Sequence, residues 1–417
     1  MAGEARGSGF QLRENSASAL GTAFAGAAVS AQNPSIIANN SAGMTYLSGN
    51  QVSSDVSVVI PSLAFSGTGI TARRQPISGS NAADGSAGAQ PIPAVYGLYD
   101  FSADLKFGLA LNAPFGLKTQ YESDWVGRYQ AIKSDIEIIN INPNVAYRIS
   151  DWLSVGGGPA IQHLHTELSN AINSITVARL ANPLLPPTFT LPDGSARVAG
   201  NSLSVGYNIG VLAEISPDTR FGASYHSQVS HRIDGIAAFN VPVPLAASPA
   251  FQNTPARTDL KTPEIVSLAA SHDVSPEVTI LAEAQWTNWS VVKNLRIERP
   301  DGSTLTDRPE QWHGTWFGSV GATYRPVSSW VIRGGVAYDA TPIRNQFLTA
   351  RLPDADRYWL ALGFGYEWTP DLHIDAAYVH VFFASRSINE TSQTGDLLTG
   401  RYSSHIDIIS ISATMRF

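Results

Sequence analysis

The sequence predicts an antiparallel β-barrel of about 14 strands spanning a bacterial outer membrane, on three observations. The first is the final stretch, residues 405–417. Counting back from Phe417, Met415, Ala413, Ile411 and Ile409 share one parity, while Arg416, Thr414, Ser412 and Ser410 share the other with the apolar Ile408. Side chains alternate across a strand, so one face stays apolar to the last residue, as lipid contact requires, and the final aromatic suits the interface. The second is a series of short Pro/Asp/Ser turns at residues 100–104, 150–152, 216–219, 273–277, 325–329 and 367–371. The third is composition: only 15% of residues are charged, yet no run approaches the roughly 18 consecutive apolar residues of a membrane helix.

Composition also bounds the partners. The net charge of −7 and the lack of any basic cluster exclude nucleic acid. The absence of cysteine is compatible with an oxidising periplasm. The first residues, Met1 to Arg6, have no apolar core. They are no signal peptide, and an exported protein is expected to have lost one.

Taken in order, residues 1–50 stand apart from residues 51–417. The run from Asn15 to Ala28 is rich in Ala, Ser and Gly, which predicts short helical turns rather than strands. It reads equally as a flexible periplasmic leader or as a plug folded inside the barrel. From Gln51 onward, strand-like runs such as residues 211–215 and 220–225 flank each short turn. Between the turns lie seven long excursions, near residues 80, 120, 185, 245, 300, 347 and 393. Six turns alternating with seven loops give the even strand number. A soluble sandwich or propeller would not need such unequal loops. Nor would it place Trp152, Trp330 and Trp368 beside the short turns, where an interfacial girdle would.

Two excursions, near residues 169–202 and 230–261, are unusually apolar. Proline there disfavours regular strands, so Leu184, Leu185 and Phe189, with Phe239, Val241, Leu245 and Phe251, are expected on irregular backbone. An outward apolar patch signals binding, here of something hydrophobic. The alternative is that the two loops pack on each other and cap the barrel.

At this point the chain resembles a known family. Residues 8–12 (Ser-Gly-Phe-Gln-Leu) and 18–26 (Ser-Ala-Leu-Gly-Thr-Ala-Phe-Ala-Gly) look like the N-terminal hatch of the FadL-like outer-membrane transporters of long-chain fatty acids and other hydrophobic compounds. Residues 114–119, 125–129, 338–342 and 353–359 extend the match in the family's order. One departure is Ser41, where the family's hatch carries proline in an Asn-Pro-Ala segment; the fixed φ is lost there.

The resemblance implies a 14-stranded barrel closed by the hatch, and hydrophobic capture between the third and fourth outer loops, which hold the seven residues above. It further implies a lumen pocket beside Phe10 and Leu12, and sideways exit where the third strand kinks inward. An acyl chain gains roughly 0.8 kcal/mol per CH₂ on leaving water, a gain that an aqueous pore would forfeit. Gly108 is the expected break in that strand, although a glycine on a crowded lumen face would read the same. A carboxylate would want a cationic partner, for which His313 and Arg333 are candidates beside ordinary polar lining.

Other chemistry is set aside. His163, His165 and Glu167 on one strand face could suggest zinc, but solvated lumen lining is preferred. Asp354 and Asp356 could be calcium ligands, but loop contacts with Arg357 or Arg351 are preferred. No Gly-x-Ser-x-Gly elbow is present. The expectation is a channel, not an enzyme, with no cofactor or metal, embedded in outer-membrane lipid as a monomer. It would serve passive uptake of hydrophobic small molecules, with long-chain fatty acids first. A channel for aromatic hydrocarbons or a polar-solute porin is the alternative.

Overall fold

The computed structural model describes residues 9–417. The wall strands are β1 (Gln51–Ile70), β2 (Gln90–Asp100), β3 (Leu105–Gln120), β4 (Lys133–Ser150), β5 (Leu153–Ile172), β6 (Gly194–Ser216) and β7 (Thr219–His226). They continue with β8 (Ile265–Asp273), β9 (Val278–Thr287), β10 (Thr315–Val327), β11 (Trp330–Asp339), β12 (Arg357–Thr369), β13 (Leu372–Phe383) and β14 (Leu397–Arg416). Each pairs antiparallel with the next, and β14 closes the ring on β1 in unbroken register from Gln51↔Arg416 to Ile70↔Leu397. Closing the ring leaves no free sheet edge in the wall, as hydrocarbon demands. The six short turns fall between β2 and β3, β4 and β5, β6 and β7, β8 and β9, β10 and β11, and β12 and β13.

Alternation sets the two faces. On β14, Ile409, Ile411 and Met415 are exposed on the outer side, whereas Ser410, Ser412 and Thr414 are buried inside. The Ser57 hydroxyl donates to Ser410 across the β1–β14 seam over 2.8 Å. Trp152, Trp330 and Trp368 stand exposed beside the short turns. At the opposite rim, Tyr207 meets Tyr225 with ring centroids 5.9 Å apart, and Tyr338 meets Tyr358 at 5.3 Å. These are the two aromatic girdles that bracket an apolar band.

Residues 9–50 lie against the inner face of this ring in short turns, Ala17–Leu20, Ile36–Asn39 and Ser41–Tyr46. Wall glycines mark where their backbone touches. A Cβ at Gly335 would lie 2.0 Å from the Thr22 carbonyl oxygen, and one at Gly222 would lie 2.0 Å from that of Ala28. Wall carboxylates satisfy the segment's amides: Asp55 accepts from Ala17 N and Glu283 from Ala28 N. Without a proline at position 41, Asn40 fixes the turn instead. Its Oδ1 accepts from Ala42 N, while its Nδ2 donates to the carbonyls of Ala28 and Val211.

Three expectations need correction. The apolar loops are shorter than residues 169–202 and 230–261. β5 runs to Ile172 and β6 begins at Gly194, while β7 continues beyond its break as Val229–Asn240, paired with Thr254–Thr262. Phe239 is therefore in a strand, because the prolines at 242 and 244 begin only after Asn240. Gly108 is not a break: it pairs with Leu98 on one side and Asn144 on the other, and its bare Cα makes room for Met44 and Ile37. Last, His163, His165 and Glu167 share the outward parity, since Gln162 and Leu164 are the buried positions. Glu167 is held by Arg197 at 2.6 Å and Lys133 at 3.4 Å.

Candidate functional site

The true irregularity of β3 lies above Gly108. Pairing of β3 with β2 ends at Val95↔Leu111, and its register with β4 shifts between Asn112 and Phe115. The freed edge of β3 is taken by the N-terminal segment: Leu12 N donates to the Pro114 carbonyl and Gly116 N to that of Phe10, both over 2.9 Å. Pro114 has no amide to offer a neighbouring strand, which explains why the ladder gives way at this point. Backbone pairing holds Phe10 and Leu12 against the gap.

Phe10 enters an aromatic box. Its ring centroid lies 4.8 Å from that of Trp289, 5.8 Å from Phe115 and 5.9 Å from Trp312, with the first two edge to face. Such pairs add about 0.5–1.5 kcal/mol each beyond burial. The neighbouring backbone is clamped: Gly9 N donates to Asp354 Oδ2, and Arg357 Nη2 donates to the Gly9 carbonyl.

Above Phe10 opens a cavity that is partly open to solvent. Its walls are mainly apolar, with Leu117, Ile136, Leu168, Val198, Ile233, Leu260, Leu295, Ile297, Trp312 and Leu352 contributed by strands and loops from most of the ring. Three arginines reach it: Arg257, Arg308 and Arg351. Arg257 pairs with Asp234 at 2.7 Å, and Arg308 pairs with Glu310 at 2.7 Å and Glu390 at 3.1 Å. Arg351 is different. Among the described residues its guanidinium donates only to neutral acceptors, the carbonyls of Lys133 and Ser169 and Asn170 Oδ1. Burial, reinforced by the nearby charge of Arg308, lowers its pKa to about 10, so it remains a cation at neutral pH. A cation at the edge of an apolar cavity whose hydrogen bonds go only to neutral acceptors can receive a carboxylate without breaking a direct ion pair.

Below Phe10, a smaller chamber is bounded by Leu12, Arg13, Pro114, His226, Glu283 and Gln285 among others. It is polar, and it separates the apolar cavity from the periplasmic end.

The sequence-predicted residues are dispersed. Phe10 lines the apolar cavity and Leu12 the chamber beneath it. Arg333 does not reach either cavity. It is buried near the periplasmic end, paired with Asp375 at 2.7 Å and bonded to Gln32 of the N-terminal segment. His313 adjoins the box through Trp312, its backbone N–H donating to the Pro342 carbonyl, but it does not line the cavity. The seven loop residues sit higher. Helix Ser174–Ala181 touches helix Val243–Ala246, so the two apolar loops do meet. Phe239 and Phe251 pack with centroids 6.0 Å apart, and Val241 lies over Gly194. Leu245 is buried, Leu185 and Phe189 are half-buried, and Leu184 is 91% exposed.

The residues missed by sequence reasoning are Trp289, Trp312, Phe115 and Arg351 as a set. Only Arg351 carried a signal, a single charge within the apolar run from Phe347 to Leu352. Among the described residues no group of three His, Asp or Glu side chains could hold a metal.

Comparison with known proteins follows this geometry. A family model described as outer membrane protein transport protein (OMPP1/FadL/TodX) matches residues 1–417. The long-chain fatty acid transport protein of Salmonella typhi is 26% identical over 400 residues, covering 93% of this chain and 90% of that protein. A 47 kDa outer membrane protein of Pasteurella multocida is 29% identical over 393 residues, covering 91% and 89%. Among solved structures, a Pseudomonas aeruginosa FadL homologue superposes with a TM-score of 0.90 at 25% identity, covering 98% of this chain and 100% of the other. The toluene transporter TodX of P. putida shares the fold, with a TM-score of 0.72 at 16% identity and 99% of each chain covered.

Proposed function

The chain belongs to the OMPP1/FadL/TodX family of outer membrane transport proteins, and we propose that its ligands are long-chain fatty acids. At the coarser level it is an outer-membrane channel for hydrophobic compounds and not an enzyme. The observation that carries the finer reading is Arg351, a cation at the edge of an apolar cavity whose hydrogen bonds among the described residues go only to neutral acceptors. A monoaromatic hydrocarbon would have no use for it, whereas a fatty acid carboxylate would form a charge-assisted bond there. The name of the Salmonella relative, a long-chain fatty acid transporter, supports the same choice.

The route begins at the apolar loops that hold Leu184, Leu185, Phe189, Phe239, Val241, Leu245 and Phe251, whose exposed members offer first contact. It continues into the cavity above Phe10. Exit is sideways, through the gap beside Asn112–Phe115 that Phe10 and Leu12 of the hatch now occupy. The polar chamber below Phe10 disfavours an acyl chain continuing straight down, since each CH₂ left in water forfeits roughly 0.8 kcal/mol. Uptake of oleate and of toluene should be compared in cells lacking other such channels. Oleate uptake that depends on Arg351 supports the reading. Toluene uptake alone would move the protein to the hydrocarbon channels, and ion conductance without hydrophobic uptake would make it a porin.

A further inference from the structure

The wall has a second interruption, unconnected with the hatch. β6 pairs with the continuation of β7 from Ser195↔Asn240 to Asn201↔Asp234, and with β7 itself from Asn208↔His226 downward. Between those two ladders, residues 202–207 of β6 and 227–233 opposite them form no ladder pair. Crossing bonds are few: Ser227 N donates to the Tyr207 carbonyl, Tyr207 N to Ser227 Oγ, and Ser204 Oγ to the Ser230 carbonyl. Both flanking ladders are intact, β5 with β6 throughout and Val229–Asn240 with Thr254–Thr262. The defect is confined to one seam.

We propose that this seam is a lateral inlet through which hydrophobic compounds dissolved in the outer leaflet enter the cavity; the inference rests on the reading of the protein as a hydrophobic-compound channel. Four observations support it. The seam begins at the Tyr207–Tyr225 pair of the outer girdle, at the outer interface of the apolar band. On the β6 side its outer lip is apolar, with Leu203 71% and Val205 65% exposed, while Ser230 and Arg232 are exposed opposite. The cavity adjoins the upper end of the seam, where Ile233 lines it together with Val198, Gly200 and Gly235 of the ladder above. Finally, the cover is side chain rather than backbone. Val229 lies across Gly206, where a Cβ would come within 2.5 Å of it, and His231 reaches past β6 to Gln162 on β5 at 3.1 Å.

His231 is 1% exposed, and its only hydrogen bond among the described residues is the one to Gln162. Rotation of Val229 and His231 exposes Gly206 without breaking any ladder bond. At the β2–β3 gap, by contrast, opening requires Phe10 and Leu12 to release main-chain bonds. The two gaps thus suit different tasks, the loose seam for entry and the hatch-guarded gap for exit.

The chain has no cysteine, which makes a covalent lock unambiguous. Continuing the register of Asn201↔Asp234 places Val205 opposite Ser230, so Val205→Cys with Ser230→Cys should form a disulfide across the seam. Val211→Cys with Ala223→Cys, a regular β6–β7 pair, is the control. Oleate uptake is measured in cells before oxidation, after oxidation and after reduction. The expected result is a loss of uptake in proportion to the cross-linked fraction, restored by reduction, with the control unaffected. Full uptake by the fully cross-linked seam overturns the inlet. If the seam pair does not oxidise, Leu203→Cys with Arg232→Cys locks the same stretch and is read the same way. Absence of oleate uptake in the unmodified protein would instead remove the functional reading itself.

Discussion

The amide of Gly9 donates to Asp354 Oδ2 over 3.1 Å, joining residues 345 positions apart and tying the N-terminal segment to the loop before β12. Asp354 also accepts from Thr341 Oγ1 at 2.6 Å and from Arg357 at 2.8 Å. Asp354→Ala removes the buried partner of a charged group, a change that typically costs about 3–5 kcal/mol. The loss should fall on the docking of residues 9–12 rather than on the ring. Limited proteolysis should then cleave the N-terminal segment while heat-modifiable migration still reports a folded barrel. An unchanged cleavage pattern would count against the clamp.

Deletion of residues 7–12 should leave assembly intact, because no wall strand is touched, and should weaken fatty-acid uptake. Gly7 and Ser8 lie outside the described residues. The effect is expected through Phe10 and Leu12, which hold the β2–β3 gap. Normal uptake by a correctly assembled deletion would show that neither residue belongs to the pathway.

Arg351→Gln should lower oleate binding about tenfold or more, since a hydrogen bond to a charged group contributes roughly 1.5–3 kcal/mol. Oleyl alcohol, which has no carboxylate, should be little affected. The pH dependence follows from a pKa lowered to about 10 by burial and by Arg308. The side chain is charged below that value and neutral above it. Carboxylate binding through Arg351 should stay constant from neutral pH upward, then decline as the pH passes about 10. A binding titration across this range checks both the residue and the sign.

Gly335→Ala should displace the N-terminal segment, since the added methyl would sit 2.0 Å from the Thr22 carbonyl oxygen. Overpacking of this kind costs about 1–3 kcal/mol or more. Planar-bilayer recordings should show greater ion leakage than the parent protein. Gly318→Ala, where a Cβ has no neighbour within 4 Å, should behave like the parent.

Ile411→Arg places a charge on the lipid side of β14, where the parent side chain is 57% exposed. The cost should approach about 2–4 kcal/mol if the site is near the bilayer midplane. Ser410→Ala, which gives up one lumen-side hydrogen bond to Ser57, should cost less, about 1 kcal/mol. Refolding into bilayers under denaturant titration would rank the two.

The ring was legible because its determinants are local. Turns such as residues 216–219 carry their own chemistry, and two-residue alternation in residues 405–417 fixes which side faces lipid. The site was less legible because its determinants are contacts between distant residues. Nothing near Gly108 reveals that the β3 ladder fails at Pro114 instead, where Leu12 supplies the replacement bond. The alternation of β11 assigns Arg333 to the inside, but its height along the barrel and its pairing with Asp375 depend on the register of β12 and β13. The proline rule misjudged Phe239 because it applies from Pro242 onward, and Ser195–Asn201 organises the backbone before that. The Phe10 box draws Trp289 and Trp312 from one loop region and Phe115 from β3, and no short segment carries that pattern.

The register from Gln51↔Arg416 to Ile70↔Leu397 bears on biogenesis. The first strand of the ring finds its partner only in the last, so the wall cannot seal until all of its strands have arrived. Until then the nascent sheet is an open trough with two raw edges, the condition that most invites wrong partners. Residues 9–50 immediately precede that first edge. They can settle against Gly222, Gly335 and Gly363 while the trough is open, whereas threading them into a finished cylinder would demand a far longer search. Closure would then trap the segment rather than admit it, making the final zipping of β14 the step that commits the molecule to its plugged form.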